Sequence, residues 1–284
     1  MMASSKDYYL GEGEFGTRLI VNRPCSTDLK KVITQSDPKQ LVLNSLPESG
    51  LEFLRDSGIE HLTVHPGCRF LPDPAPIETL SSLKFLHIGV GIGGTLNLSH
   101  LPLKEITAIW SEEVSSILKC RELEELSLGD FSGTDLTSLC SLEKLTSLRI
   151  IGGALKDLRG LEKLLKLESL DLGNLRLKKA DALLSATALK QLDLHKTGLR
   201  DLSSLRNLIN LKWLVLNDCG NLESLHPIQS LPELMSIIIM GTTNIVDGDF
   251  GCLLSNRNIR SVSFGDRRHY SHTKEEWKAA RYSI

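Results

Sequence analysis

Several residue groups invite a chemical reading. Gly11-Glu12-Gly13-Glu14-Phe15-Gly16 has the GxGxxG spacing of a loop whose backbone N–H groups cradle phosphate, and Asp249-Phe250-Gly251 spells a triplet that holds metal in phosphoryl transfer. No lysine of the Val-Ala-Ile-Lys type follows the loop, and no His-Arg-Asp occurs anywhere in the chain, so phosphoryl transfer is not supported. Gly89-Val90-Gly91-Ile92-Gly93-Gly94 leads into Leu96-Asn97-Leu98 rather than opening a helix, and reads as a turn rather than a dinucleotide loop. His61 and His65 lie on one predicted strand, about 13 Å apart, too far to share a zinc ion. His269 and His272, with Asp266, are expected to form at most a polar cluster in a C-terminal turn. Cys25, Cys68, Cys120, Cys140, Cys219 and Cys252 are spread along the chain with no CxxC pair, so neither a disulfide framework nor a zinc site is expected. No Ser/His/Asp or Cys/His set can be assembled from motifs. The expectation is a protein that is not an enzyme, with no catalytic residues, no metal and no cofactor.

The elements that carry these residues are set by leucine. The 284 residues hold 33 Lys plus Arg and 35 Asp plus Glu, a net charge of −2, which argues against direct nucleic-acid binding and against an acidic disordered chain. No signal-like or membrane-spanning apolar run is present, which predicts a cytoplasmic protein without membrane contact. Of the residues, 54 are leucine while only 5% are aromatic. The leucines are periodic. The spacing Leu-x-x-Leu-x-Leu recurs at Leu123/Leu126/Leu128, Leu145/Leu148/Ile150, Leu167/Leu170/Leu172, Leu189/Leu192/Leu194, Leu211/Leu214/Leu216, Leu234/Ile237/Ile239 and Ile259/Val262/Phe264, in steps of 22 to 25 residues. Weaker copies run upstream at Leu103/Ile106/Ala108, Leu83/Leu86/Ile88, Ile59/Leu62/Val64 and Leu41/Leu43, giving about ten coils. Between the strand motifs leucines recur every third residue, as at Leu155, Leu158, Leu161 and Leu164, which suits a 3-10 or short helical return.

These residues resemble the leucine-rich repeat family, in its 22-residue, SDS22-like subclass, over roughly residues 38 to 266. The resemblance implies an α/β repeat solenoid: a curved array with a parallel concave sheet and short 3-10 or helical convex returns. It departs from the family at the site eight residues after the first anchor, where Asn is usual and Phe131, Gly153, Leu175, Thr197, Cys219 and Thr242 stand here; the middle coils are expected to be less regular. Residues 1–37, with strands around a Gly-rich turn, are expected to cap the first coil. Residues 267–284, with Thr273-Lys274-Glu275-Glu276 as a capping box before Trp277, are expected to close the last with a short helix.

On such strands the anchors at offsets 0, +3 and +5 turn inward while +2, +4, +6 and +7 face outward. That outward set carries Glu105, Glu125, Asp130, Asp171, Asp193, Asp218 and Asp266 against Arg149 and Lys196, and it displays Trp110 and Trp213. An acidic face with large aromatics suits a basic protein partner. The expected partner-binding residues are Glu105, Trp110, Glu125, Asp130, Arg149, Asp171, Asp193, His195, Trp213, Asn217 and Asp218. The resemblance to free-standing bacterial leucine-rich proteins implies an inhibitor or immunity protein that neutralises a toxin enzyme such as a nuclease. The resemblance to the SDS22-like subclass implies the alternative, a subunit docking a phosphatase. A monomer is expected when free.

Overall fold

The computed structural model describes residues 3–4, 7–24, 28–177 and 179–282. Cys25 lies outside them. Contacts divide the chain into two compact units, Met1–Gly129 and Asp130–Ile284.

The first unit begins with an antiparallel hairpin of β1 (Tyr8–Gly13) and β2 (Gly16–Val21). The GxGxxG sequence is therefore a hairpin turn, with Gly11 opposite Arg18. β2 pairs in parallel with β3 (Gln40–Leu43), followed in register by β4 (His61–Val64), β5 (Phe85–Ile88), β6 (Glu105–Ile109) and β7 (Glu125–Phe131). Helix α1 (Leu29–Ser36) follows the hairpin; Asp28 caps its start by accepting from Lys31 N at 3.1 Å. Gly91–Ile92 pairs in parallel with Phe70–Leu71, so the second Gly-rich segment is a turn between coils.

The second unit stacks β8 (Ser147–Gly153), β9 (Ser169–Gly173), β10 (Gln191–His195), β11 (Trp213–Asn217), β12 (Ser236–Met240) and β13 (Ser261–Ser263) in one parallel ladder. Strands β8 to β12 each return through a short 3-10 segment, such as Leu161–Lys163, Ser203–Leu205 or His226–Ile228. An acid or hydroxyl two residues ahead opens many of these returns: Asp135, Asp157, Asp201, Ser224 and Asp247 each accept the backbone N–H of residue i+2. All 21 strand anchors are buried, as are Leu155, Leu158, Leu161 and Leu164 on a return. Each such side chain contributes about 1.5–3 kcal/mol on burial, so the leucine spacing is the fold's main driving force.

The departures from the repeat have local reasons. Phe131, at the end of its strand, and Leu175, just after its strand, fill the site with apolar bulk. Gly153 sits at φ 99°, where a Cβ would lie 2.1 Å from the Phe131 carbonyl oxygen. The coils carrying Phe131 and Gly153 have seven-residue strands where the next four have five. Cys219 is buried there, its Sγ donating to Leu194 O at 3.3 Å. In the following coil Thr243, not the expected Thr242, occupies the buried site: its hydroxyl accepts from Cys219 N at 2.9 Å and donates to Leu216 O at 3.1 Å. The longer step of this coil moves the register by one.

Helix α2 (Lys274–Tyr282) ends the second unit. Thr273 N donates to Glu276 Oε2 at 2.7 Å and Glu276 N to Thr273 Oγ1 at 3.2 Å, the reciprocal capping box read from the sequence. Trp277 is buried, with Nε1 donating to Phe250 O at 3.1 Å. Phe250 stacks on Phe264, so the Asp-Phe-Gly triplet places its phenylalanine in the core. No helix among the described residues is long and apolar enough to cross a membrane.

Candidate functional site

Parallel pairing in register lines up equivalent residues of successive strands. In the second unit this gives a row Arg149, Asp171, Asp193, Val215, Ile238 and, two residues further along each strand and so on the same face, a row Ile151, Gly173, His195, Asn217, Met240. Between the rows lies a recess of about 340 Å³ lined by Arg149, Ile151, Asp171, Asn174, Asp193, Leu194, His195, Val215 and Asn217. Five of the eleven residues read from the sequence line it, Arg149, Asp171, Asp193, His195 and Asn217; Trp213 lies outside it, at the start of β11, where it pairs with Gln191.

The carboxylates in the recess are unequally satisfied. Arg149 Nη1 lies 3.1 Å from Asp171 Oδ2. Burial pushes the Asp171 carboxyl above its usual range; Arg149 opposes that rise and the Asp193 charge adds to it. Asp193 Oδ2 accepts from Gln191 Nε2 at 2.9 Å, while Oδ1 is buried with no partner among the described residues. A buried acceptor left unmade costs about 1–3 kcal/mol, which an incoming N–H donor removes. Trp213 and Met240 are each 46% exposed on the same face, large apolar groups where a solvated sheet would carry polar ones.

Asp130 and Asp218 have a different position from the recess acids. They sit at the strand exit with Asn174 and Lys196, all four in the left-handed region at φ 50–54°. Asp and Asn tolerate this conformation better than most residues. Asp218 Oδ1 accepts from Thr242 N at 2.9 Å, and this bond holds its carboxyl below the usual range. Two of the seven acids on the outward face therefore shape turns.

Glu105, Trp110 and Glu125 belong to the first unit. Glu105 and Glu125 are register partners, and burial, followed by repulsion from Glu125, raises Glu105. Glu105 lines a second recess of about 320 Å³ whose wall is a ring stack: His61 lies 4.1 Å from both Phe15 and Phe85. His61 is thus a stacking group. Trp110 follows β6, with its backbone N–H donating to Gly129 O at 2.8 Å. The Gly-rich hairpin turn gave no signal that Phe15 would fold onto His61. At the C-terminus, His269 Nε2 bonds Ile245 O, His272 Nδ1 bonds Ser271 Oγ and Asp266 accepts from Lys274 N, so the three take separate partners.

No protein-family model matches the sequence, and no curated protein matches it. Solved structures do. An internalin, InlF of Listeria monocytogenes, shares 21% identity over 85% of this chain and 72% of its own, with a TM-score of 0.68. The fold is that of leucine-rich repeat proteins. A leucine-rich repeat protein of Leptospira interrogans matches at 21% identity and TM-score 0.62, over 83% of this chain and 62% of its own. The plant peptide hormone receptor RGFR1, solved in complex with RGF2, matches at 18% and 0.56, over 80% of this chain and 38% of its own. The chain spans less than two thirds of the length of these last two. The leucine-rich repeat architecture of parallel strands and 3-10 returns is present in both units.

Proposed function

We propose that the exposed strand face of the second unit is a docking surface for a basic protein, with a lysine or arginine of that partner entering the recess. The observation that carries this is Asp193 Oδ1, a buried acceptor without a donor, beside a carboxyl that burial has raised and an exposed tryptophan. A cationic donor supplies the missing hydrogen bond and lowers the cost of the adjacent Asp171 charge; Trp213 and Met240 supply the apolar contact around it. The plant receptor solved with RGF2 is a precedent for this fold holding a ligand. The leucine-rich repeat role that suits an acidic docking face is inhibition, an immunity-type protein covering the basic active site of a toxin enzyme such as a nuclease.

Affinity capture from the native organism tests this. Immobilised wild-type protein is compared with Trp213→Ala/Asp193→Lys and with Leu165→Asp, whose side chain is exposed on a return segment. The expected result is a basic protein retained by wild type and Leu165→Asp but lost from the double variant. Identical captures by all three folded proteins would contradict the reading.

A further inference from the structure

The sequence offered no metal site, because the residues concerned are 23 and 26 positions apart. The repeat brings them together. His226 opens the return His226–Ile228, and Asp249 precedes the equivalent return Gly251–Ser255, one coil later, which carries Cys252. One ligand atom from each of His226, Asp249 and Cys252 lies within 4.8 Å of the others. His226 Nε2 is 3.0 Å from Asp249 Oδ2. The opposite carboxylate oxygen, Asp249 Oδ1, accepts Cys252 N at 3.1 Å, which fixes the side-chain direction and leaves Oδ2 toward the histidine.

We propose that His226 Nε2, the Asp249 carboxylate and Cys252 Sγ bind one divalent cation of the zinc class, tying two successive coils together. An imidazole nitrogen, a carboxylate oxygen and a thiolate are the donor set that suits zinc, and three protein ligands leave the fourth tetrahedral position to water. The ligands are held in place from below, since the neighbouring Ile228, Phe250 and Leu253 are all fully buried in the core. Small shifts close the cluster to bonding distance, because the ligands of a tetrahedral zinc ion are themselves separated by more than 3 Å. A nucleophilic role for Cys252 does not fit: burial, then the charges of Asp249 and Asp247, push its thiol up to about 12. Zinc binding replaces the S–H bond with a Zn–S bond and releases one proton to solvent, with no electron transferred.

The test uses the full chain without a histidine tag, titrated with Zn²⁺ and with Co²⁺ as a spectroscopic stand-in. The expected results are one equivalent bound, a thiolate-to-cobalt charge-transfer band, and a rise in Tm with zinc. Cys252→Ser removes the band, and both Cys252→Ser and His226→Ala weaken zinc binding by at least about tenfold. Cys140→Ser, on another return, leaves both unchanged. His226 is exposed, so His226→Ala keeps the test decisive if Cys252→Ser folds poorly. No uptake by wild type, a cobalt band that survives Cys252→Ser, or zinc affinity unchanged in His226→Ala would overturn the proposal.

Discussion

The second unit carries the same acidic residue type at two places on its exposed strand face, mid-strand and at the strand exit, and the two behave oppositely. Asp171 and Asp193 sit in the recess, one raised by burial and one with an oxygen lacking a donor. Asp218 sits at the exit in a left-handed turn, bonded to Thr242 N and lowered by that bond. The exit acid has a backbone donor from the next coil; in the recess, Asp193 accepts from Gln191 on Oδ2 but has no donor on Oδ1. The contrast separates a carboxylate whose acceptor is satisfied within the fold from one with an open acceptor, and a charge count over the face cannot make that separation.

The largest expected effect comes from moving one charge reversal between the two places. Asp193→Lys is expected to weaken binding of the captured partner by at least about 100-fold, since a donor pair at the centre of an interface is replaced by like charge. Asp218→Lys makes the same change in charge at a turn where Lys196 shows lysine is tolerated, and is expected to change affinity by less than about tenfold, as exposed rim charges do. Comparable losses in both, measured by titration calorimetry, would merge the two classes.

The second effect concerns the turn itself. Asn174→Val forces a β-branched residue into φ 52° and is expected to destabilise the protein by about 1–2 kcal/mol in urea unfolding, whereas Asn174→Gly leaves stability nearly unchanged. Equal stability of the two variants would show that the left-handed exit is not a constraint.

The smallest effect is a difference in pH profile. A carboxyl raised in the folded state adds stability that is present in acid and is lost as pH rises through its folded pKa; one lowered in the folded state adds stability at neutral pH that is lost as pH falls through its folded pKa. Asp171→Asn should therefore lose stability relative to wild type in acid but not at neutral pH. Asp218→Asn should lose it at neutral pH but not in acid. Thermal melts from pH 3 to pH 7 read the sign, and parallel profiles for both variants would contradict the assignment.

How far the sequence announced all this follows from what spacing encodes. Strand anchors and returns were legible because burying one side chain per fixed step needs only apolar residues at that step, and Leu189, Leu192 and Leu194 satisfy it without reference to neighbours. The capping box at Thr273 was legible for the same reason, since its partners are three residues apart. The buried site in the last coils was misplaced by one, at Thr242 instead of Thr243, because the length of a step says nothing about where its extra residue is inserted. The outward face was legible by alternation, but not the inequality within it: the donors to Asp193 Oδ2 and to Asp218 come from residues two and 24 positions away, and none reaches Asp193 Oδ1. Nor was the approach of His226 to Asp249 and Cys252, which depends on side chains of one return reaching the next.

The central claim is that the recess around Asp193 takes a cationic side chain of a basic protein. Calorimetric titration of the captured partner into Trp213→Ala/Asp193→Lys, shown by circular dichroism to be folded, tests it most directly. No measurable binding is expected at concentrations that saturate the wild-type protein. Wild-type affinity in the folded double variant would contradict it.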